Sequence, residues 1–544
     1  MVRVNLRDTV ALGADHVETA LCTDGGNNTN FDFSLQWRYW VTAASGNYLM
    51  AQNWVPSGVP TENDNLIIDF GNPGLGYNVI DAPSNVQPGR DGEPSRVARL
   101  ILGGGPTAVS LLFQKMNGVM EFTKDFVVLT NGVALHYGSA NPPVQRVDIV
   151  VGRNFFLGNG ATVDARGRGY PNASGPGYLR PGATGAGGNT GGSHGGKSGW
   201  QNARWDQLSY GSITEPVTHG SGGSNQRGGG VIRLTVAGRS SVFGSIDANG
   251  NGIYDASGAG GGAGGSVWIT TGRLVGDGRI SADGGYGYAP YPTMLNAGSM
   301  HGAGGRVAVY LTEGDSFDNV RITASGLQGD SITSLNGSGS GSVYLKAASE
   351  EHGTCTYDMS YAIAYINGSE ISETVTDTAV GNFRLLGGTY AVLTLTNQTL
   401  TVFGDWENRG TFIATNGTST VEFAGTGASR ILGNTRFSNL VATNAIPKTM
   451  GKTLAFEAGS EMQVANALIL KDVTVTSTDA GNVAYLALLQ NAAQDILRVR
   501  VKDSNAYGKS GNGLQLLAYP VSEDLGGNDN WKFVPSPGTV ILIR

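Results

Sequence analysis

The sequence has few cysteines, few charged residues and no long apolar segment. Cys22 and Cys355 are its only cysteines among 544 residues, and neither lies in a CxxC or other metal-ligand spacing. They predict either one disulfide or two buried thiols. Charged residues make up 15% of the chain, which is low enough to exclude most coiled coils and nucleic-acid-binding tails. No run of about 18 apolar residues occurs, so we expect no membrane-spanning helix.

Sequence motifs of common enzyme sites are also missing. The chain has no GxSxG, HExxH or GxxxxGK[ST] motif. Its first thirty residues hold no continuous apolar segment of the signal-peptide type. The net charge of −7 argues against a nucleic-acid partner, because such partners are held by contacts to phosphate.

Glycine is abundant instead, with 85 residues in the chain. This density leaves few long helices, and the absence of a strict Gly-X-Y period excludes collagen. Hydrophobic residues still make up 40% of the chain, so it can bury a core.

A short repeat recurs through the glycine-rich region, residues 156–347. Four segments combine a short apolar strand with a small residue and a glycine, and each is followed by a strand with β-branched residues at every other position. The first strands align on Ile246, Ile280 and Ile322, at spacings of 34 and 42 residues. The second strands align on Ile232, Val267, Val307 and Val343. A steady period of this size is typical of a solenoid.

Two details of the coil follow from this register. The glycines are expected at strand ends, where the chain turns sharply with positive φ and passes close to the next coil. Alternation along one strand predicts that Val307, Val309 and Leu311 point inward and that Arg306, Ala308 and Tyr310 face outward.

We therefore predict an all-β fold, a right-handed parallel β-helix or solenoid with additional irregular β regions at both ends. The right-handedness is predicted because connections between parallel strands are usually right-handed. Residues 1–155 form an N-terminal β region with a tryptophan-rich segment, and residues 156–347 form the glycine-rich solenoid. In residues 348–480, short strands fit either a continued solenoid or a sandwich. Residues 481–544 form a C-terminal β module that resembles residues 2–33.

The two ends of the chain match each other. Residues 2–8 and 497–503 share an alternating apolar and basic pattern, and residues 22–33 parallel residues 522–533. One hypothesis is head-to-tail polymerisation through terminal strands. Its predicted assembly residues are Val2, Val4, Leu6, Val540, Ile541, Leu542 and Ile543. The alternative is a pair of homologous modules inside one monomer.

Several of these motifs resemble a known family. Gly-x-Gly-Gly-x-Ile/Val-x-Ile/Leu, Gly-x-Ile-x-Ala-x-Gly and the segment 210–223 look like the glycine-rich β-helical repeats of very large bacterial secreted and cell-surface proteins of adhesin type. Residues 400–412 and 419–425 are similar to repeats that such proteins carry beside them. The resemblance covers about 158–347 and 385–533 and implies an extracellular structural or adhesive role. It supplies no catalytic residues, and the chain shows neither the signal peptide nor the anchor usual in the family.

Aspartates at matching positions of the repeats are candidates for an enzyme site. Asp164 and Asp247 occupy equivalent positions, where the next copies carry Ser281 and Thr323. A glycosidase needs two carboxyl groups about 5–9 Å apart, which no linear spacing establishes. We favour solvated surface aspartates and predict no catalytic residue. Further aspartates in glycine turns have the same interpretation, as residues that bond to the local backbone: Asp255, Asp277 and Asp283.

The segment 247–252 resembles the start of a Ca²⁺ loop. Its ligand positions make Asp247, Asn249 and Asn251 weak candidates. Position twelve is Gly258 rather than glutamate, which argues against an EF-hand and leaves a looser oxygen-ligand Ca²⁺ site open. We expect no other cofactor.

Histidines and aromatic residues are the remaining candidates. His194, His219 and His301 each precede glycine, and stacked histidines could bind a transition metal, although imidazoles bonded to turns are the favoured interpretation. Flat rings in loops stack on sugars or bury at protein contacts. The candidates for a ligand or subunit surface are Trp200, Trp205, Tyr210, Tyr286, Tyr288 and Tyr291.

The sequence thus predicts a non-enzymatic extracellular or cell-surface protein, structural or adhesive, with self-assembly into a fibre as one of the two hypotheses for its matched ends. Its expected partners are copies of itself, or an extracellular polysaccharide or cell surface. The alternative is a carbohydrate-binding or polysaccharide-degrading β-helix of tailspike type.

Overall fold

The structure is a computed structural model. It describes residues 5–10, 17–18, 23–41, 46–47, 50–69, 77–80, 95–113, 118–138, 141–178, 190–198, 208–252, 260–287, 301–326, 337–361, 368–414, 417–444 and 448–535. The described chain is nearly all β, and almost every strand pairs in parallel.

Residues 37–346 form a first stack of coils, in which strands of successive coils pair in three parallel ladders. Ladder A contains Trp37–Trp40, Asn65–Ile68, Arg99–Leu102, Phe126–Val128, Phe155–Leu157 and the second halves of Val231–Val242 and Ser266–Val275. Ladder B contains Gly46–Asn47, Tyr77–Ile80, Val109–Phe113, Gly132–His136, Thr162–Asp164, Ser245–Asp247, Arg279–Ser281 and Arg321–Thr323. Ladder C contains Ser95–Val97, Met120–Phe122, Val147–Val151, the first halves of Val231–Val242 and Ser266–Val275, Arg306–Leu311 and Ser342–Lys346.

Residues 354–524 form a second stack of the same kind. Ladder D contains Thr354–Asp358, Asn382–Leu386, Trp406–Asn408, Ala428–Leu432, Lys452–Phe456, Val473–Ser477, Arg500–Val501 and Glu523–Asp524. Ladder E contains Ser369–Ile371, Val392–Leu395, Thr411–Ala414, the first halves of Thr435–Thr443 and Glu461–Lys471, Ala484–Leu488 and Ser504–Asn505. Ladder F contains Ala379–Val380, Thr399–Val402, Thr420–Phe423, the second halves of Thr435–Thr443 and Glu461–Lys471, and Ala493–Leu497. For residues 348–480, parallel ladders settle the choice between a continued stack and a sandwich in favour of the stack.

The two stacks share one sheet. Ser342–Lys346 at the end of ladder C pairs antiparallel with Thr354–Asp358 at the start of ladder D. Each stack has its own apolar core, because Val307 and Val309 pack in the first cluster while Ala308 and Tyr344 pack in the second. The shared sheet therefore has a core on each face.

Smaller elements complete the described chain. Trp54–Val55 pairs antiparallel with the strand Trp37–Trp40 after a short 3-10 helix, Ala51–Asn53. The remaining parallel pairs are Asn5–Leu6 with Thr23–Asp24, Val17–Glu18 with Phe31–Asp32, Gly211–Ser212 with Val375–Thr376, and Leu516–Ala518 with Trp531–Phe533. No helix of the length and apolar character that crossing a bilayer requires occurs in these ranges.

The predicted repeat register is confirmed. Ile246 pairs with Ile280 and Ile280 with Ile322 in ladder B. In ladder C the predicted set also pairs in order: Ile232, Val267, Val307 and Val343. Period-two alternation therefore located both ladders.

The prediction for the outer face was wrong for two residues. Val307, Val309 and Leu311 point into the first core as expected, but Arg306 and Ala308 are also fully buried. The cause is a second layer over ladder C, since the Arg306 Nε donates to the Tyr210 carbonyl at 2.8 Å. Tyr310 is half-buried, and its hydroxyl donates to the Thr214 carbonyl at 2.9 Å.

Glycine-rich segments run between ladder B and ladder C in the last coils of the first stack. They pack backbone against backbone: the Gly264 amide donates to the Ala303 carbonyl at 2.9 Å, and a Cβ on Gly264 would lie 2.0 Å from the Ala282 carbonyl oxygen. A Cβ on Gly250 would lie 1.9 Å from the Gly262 oxygen. These glycines do not have positive φ, so close approach rather than sharp turning requires them.

Strand pairing runs across two of the predicted region boundaries. Residues 147–151 and 155–157 pair with the glycine-rich coils, so ladders A and C continue across residue 155 rather than giving way to irregular structure. Ladder D likewise continues across residue 480, since Val473–Ser477 pairs with Arg500–Val501. The antiparallel junction lies near the boundary predicted at residue 347.

Candidate functional site

The predicted aromatic surface is described only in part. Trp200, Trp205, Tyr288 and Tyr291 lie outside the described residues. Tyr210 is 6% exposed, and its hydroxyl donates to the His219 carbonyl at 2.7 Å. It belongs to the buried layer over ladder C, so the prediction that it faces a ligand was wrong. Tyr286 is half-buried with its ring 4.8 Å from that of His301.

Among the histidines of the glycine-rich coils, His194 and His301 are fully buried and His219 is half-buried. The Gly287 amide donates to Nδ1 of His301 at 3.0 Å, and the other two rings bond to carbonyl oxygens. Nδ1 of His194 lies 2.8 Å from the Gly264 carbonyl, and Nε2 of His219 lies 2.8 Å from the Gln145 carbonyl. Burial lowers the pKa of His194 to about 3 and that of His219 to about 4. In the described part of the chain, no group of three metal-ligating side chains forms.

The predicted assembly strands fall mostly outside the description. Leu6 is buried in the short pair Asn5–Leu6 with Thr23–Asp24. The other six predicted residues lie outside the described residues: Val2, Val4, Val540, Ile541, Leu542 and Ile543.

Of the two cysteines, Cys355 is a buried free thiol, and burial raises its pKa to about 12. Cys22 lies outside the described residues.

The two ends contain the same hydrogen-bonded turn. The Asn28 side chain donates to the Leu6 carbonyl at 2.8 Å and to Oδ1 of Asp24 at 2.7 Å. Five hundred residues later, the Asn528 side chain donates to the Val501 carbonyl at 2.7 Å and to Oδ1 of Asp524 at 2.6 Å. The predicted match between the ends is therefore a match of structure as well as sequence.

Ladder B carries the predicted aspartates. Asp164 pairs with Asp247, and Asp247 with Ser281, as the repeat register requires. The prediction that Asp247 is solvated was wrong, because its side chain is fully buried. Its Oδ2 accepts from the guanidinium of Arg166 and, at 3.3 Å, from that of Arg279.

The same contacts bear on the Ca²⁺ candidates. Oδ1 of Asp247 accepts the Asn249 amide at 2.9 Å, and Oδ1 of Asn249 accepts the Asp283 amide at 2.5 Å. A cation here would have to displace these donors and lie beside the guanidinium groups on Asp247.

The other predicted aspartates differ in exposure. Asp277 is exposed, Asp283 is half-buried with its pKa raised by burial, and Asp255 lies outside the described residues.

An arginine-lined pocket opens next to these aspartates. It has a volume of about 400 Å³, and its lining residues are Tyr137, Gly138, Arg166, Gly167, Arg168, Arg227 and Asn251. Arg166 and Arg168 follow the ladder B strand Thr162–Asp164, and Arg227 precedes the ladder C strand that starts at Val231. The long insertion between them brings its two ends together at this pocket.

Backbone bonds hold the walls of the pocket. The Gly167 amide donates to the Asn249 carbonyl at 3.0 Å, and the Gly169 amide donates to the Gly228 carbonyl at 2.7 Å. Gly167 has a φ of +59°, and a Cβ there would lie 2.3 Å from the Asn251 side chain. Larger residues at Gly167 would both strain the turn and fill the space beside Asn251.

The three arginines differ in their partners. Arg166 pairs with Asp247, which raises its pKa. Arg227 donates from Nε to the Gly167 carbonyl at 3.0 Å and from Nη2 to the Gly169 carbonyl at 2.9 Å. Arg168 has a buried Nε, and its guanidinium has no hydrogen-bond or ion-pair partner within the ranges the structure covers. Burial lowers the pKa of Arg168 and Arg227, and the charge of Arg168 lowers that of Arg227 further.

Sequence reasoning missed this pocket. Its signal was present as glycine-flanked arginines at both ends of the long insertion, Arg166-Gly-Arg168-Gly and Arg227-Gly, in a region of low charge. Guanidinium groups bind carboxylate, sulfate and phosphate oxygens through paired N–H donors.

Comparison with known proteins does not assign the site, since the chain matches no family model, no curated protein and no solved structure.

Proposed function

We propose that this chain is a non-enzymatic extracellular or cell-surface protein, structural or adhesive, that assembles head to tail with copies of itself. We further infer that both stacks are right-handed parallel β-helices. Parallel pairing between the strands of successive coils supports this, because parallel strands in one sheet connect with a right-handed crossover in nearly all proteins.

The junction supports a common hand for both stacks. Strand direction reverses there, since Ser342–Lys346 and Thr354–Asp358 are antiparallel. The core also changes sides, since Tyr344 packs in the second core while Val343 and Leu345 pack against the first. Because both the strand direction and the side of the core reverse at the junction, the two stacks have the same handedness.

The matched end turns are the observation that carries the assembly proposal. The turn around Asp24 is followed in the chain by Trp37–Trp40, the first strand of ladder A. The equivalent turn around Asp524 ends the second stack. We infer that the first strand of another copy follows that turn, so that one stack continues into the next across the molecular boundary.

Exposed apolar side chains are concentrated at both ends of the described chain. Among the described residues, those of the N-terminal part are Val10, Val41, Met50, Val55 and Val59, and those of the C-terminal module are Tyr507, Tyr519, Val521 and Leu525. Val521 is 72% exposed. Exposed apolar side chains are common at contacts with other proteins, and the matched turns support a second copy as the partner.

Sedimentation velocity and negative-stain microscopy of the full chain test the proposal. We expect concentration-dependent linear assemblies, and we expect Val521→Lys to abolish them by placing a charge in the end contact. Ile413→Lys is the matched control, because Ile413 is 42% exposed on the side of the second stack. A native chain that stays monomeric at high concentration would refute head-to-tail assembly.

A polysaccharide-degrading β-helix is the competing function. The arginine pocket favours a carbohydrate contact, but Asp247 is buried and shared by two guanidinium groups. We therefore expect no release of reducing or unsaturated ends from a panel of polysaccharides. Release that disappears in Asp247→Asn would show that the protein is an enzyme.

A further inference from the structure

We propose that the pocket formed by Arg166, Arg168 and Arg227 binds an anionic sugar, through its uronate carboxylate or sulfate ester. This inference rests on the adhesive part of the proposed function and identifies its ligand class. It is independent of whether the ends of the chain assemble.

The first argument is charge. The chain has a net charge of −7, yet three arginines converge on one pocket. Two carboxylates lie near: Asp247 accepts from Arg166 and Arg279, and Asp164 accepts the Arg166 amide at 2.9 Å and attracts Arg168 without a hydrogen bond to it. Two carboxylates do not balance the three arginines of the pocket together with Arg279. Positive charge therefore remains in excess at the pocket.

The second argument is the unpartnered guanidinium of Arg168. Polar groups removed from water are normally hydrogen-bonded, and a partly buried cation beside another cation is unfavourable. Arg168 has no acceptor among the described residues, while Arg227 beside it is fixed by two backbone carbonyls. A bound oxyanion would supply the acceptors that Arg168 lacks and reduce the repulsion between the two side chains.

The third argument is the chemistry of the other walls. Tyr137 is 44% exposed at the rim, and an aromatic face of this kind can lie against the apolar face of a sugar ring. The Asn251 amide can donate to or accept from a hydroxyl group. The volume of about 400 Å³ falls within the range of small-ligand sites. Tyrosine, amide and guanidinium groups together fit an acidic sugar better than a bare anion.

Isothermal titration of the full chain tests this assignment. The probes are a galacturonic-acid oligomer for the carboxylate, a dextran sulfate oligomer for the sulfate, and neutral dextran as the uncharged control. We expect binding of at least one acidic probe, weaker binding as salt rises, and no binding of dextran. Failure of both acidic probes, or equal binding of neutral dextran, would overturn the proposal.

Arg168→Gln is the decisive variant. We expect a loss of affinity of about tenfold or more, since a charge-assisted hydrogen bond is removed. Arg168→Lys should bind with intermediate affinity, because it keeps the charge but loses the paired donors. The matched control is Arg321→Gln, an exposed arginine on ladder B outside the pocket, which should bind as the native chain does.

Thermal unfolding separates a binding role from a structural one. Because Arg168 makes no hydrogen bond in the described chain, Arg168→Gln should keep or raise the native Tm. A lower Tm with unchanged affinity would identify a structural arginine and refute the proposal.

Two further measurements distinguish the ligand class and the assembly. A polyglutamate peptide or an oligothymidylate that binds as tightly as the sugars would overturn the carbohydrate assignment. Arg168→Gln should assemble normally, and monomeric Val521→Lys should still bind the acidic sugar. Failure of the sugar-binding proposal can therefore be distinguished from failure of the assembly proposal.

Discussion

The glycine-rich coils of the first stack and the coils of the second stack share a three-ladder plan but fill their interiors differently. In the second stack, large rings pack together: the Trp406 ring lies 4.5 Å from Phe383 and 5.5 Å from Phe437. In the glycine-rich coils, backbone segments lie so close that a Cβ on Gly264 would meet a carbonyl oxygen at 2.0 Å. Both regions bury apolar side chains, but the second stack adds large aromatic rings and the glycine-rich coils add close backbone contact.

We expect the largest loss of stability from a substitution at the centre of the aromatic core in the second stack. Trp406→Ala should destabilise the second stack by about 3–5 kcal/mol, because it removes a fully buried indole and leaves a cavity. Region-resolved hydrogen exchange measures the change. Trp268→Ala is the matched variant on a strand of the glycine-rich coils. Its indole is half-buried under Arg233 at the edge of the second core, and its effect should be much smaller. Equal losses would contradict the difference between the regions.

A glycine substitution tests the other side of the comparison. Gly264→Ala should destabilise the first stack by about 3 kcal/mol, since its Cβ would overlap the backbone of the next coil. Gly427→Ala in the second stack is the control, because nothing lies within 4 Å of its Cβ position. There we expect no loss, or a gain below about 1 kcal/mol. Denaturant unfolding measures both, and a tolerated Gly264→Ala would refute backbone packing as the reason for the glycines.

Mild acid should destabilise the first stack more than the second, by a smaller amount than the substitutions above. Burial lowers the pKa of His136 and His194 to about 3 and that of His219 to about 4, against about 6.5 in an unfolded chain. As the pH falls below about 6.5, the unfolded chain takes up protons that the folded chain does not, so stability is lost. We expect about 1 kcal/mol per histidine at pH 6.

Hydrogen exchange at pH 7 and pH 6, corrected for the intrinsic exchange rate, measures this effect. The loss should be confined to the first stack, and His219→Asn should reduce it. Asp164 and Asp283, whose pKa burial raises, oppose the effect at lower pH, so the comparison goes no lower than pH 6. An equal acid response in the second stack would contradict the assignment to these histidines.

Much of the ladder register could be predicted from sequence. Val307 and Ile280 were placed correctly because alternation with period two repeats at a constant offset from coil to coil. The burial of Arg306 and Tyr210 could not be predicted, because it depends on a distant segment that folds over ladder C. The arginine pocket was missed for the same reason: Arg168 and Arg227 are 59 residues apart in sequence and meet only after the insertion closes.

The sequence by itself determined the β-strand content, the positions of the repeats and the similarity of the two ends. These are local or periodic properties, carried by side-chain alternation and by turns such as the one around Asp24 and Asp524. Tertiary structure decided that two stacks meet back to back at an antiparallel pair, and that glycines serve close approach. It also decided which charges are left without partners, because burial and pairing depend on which distant segments lie side by side.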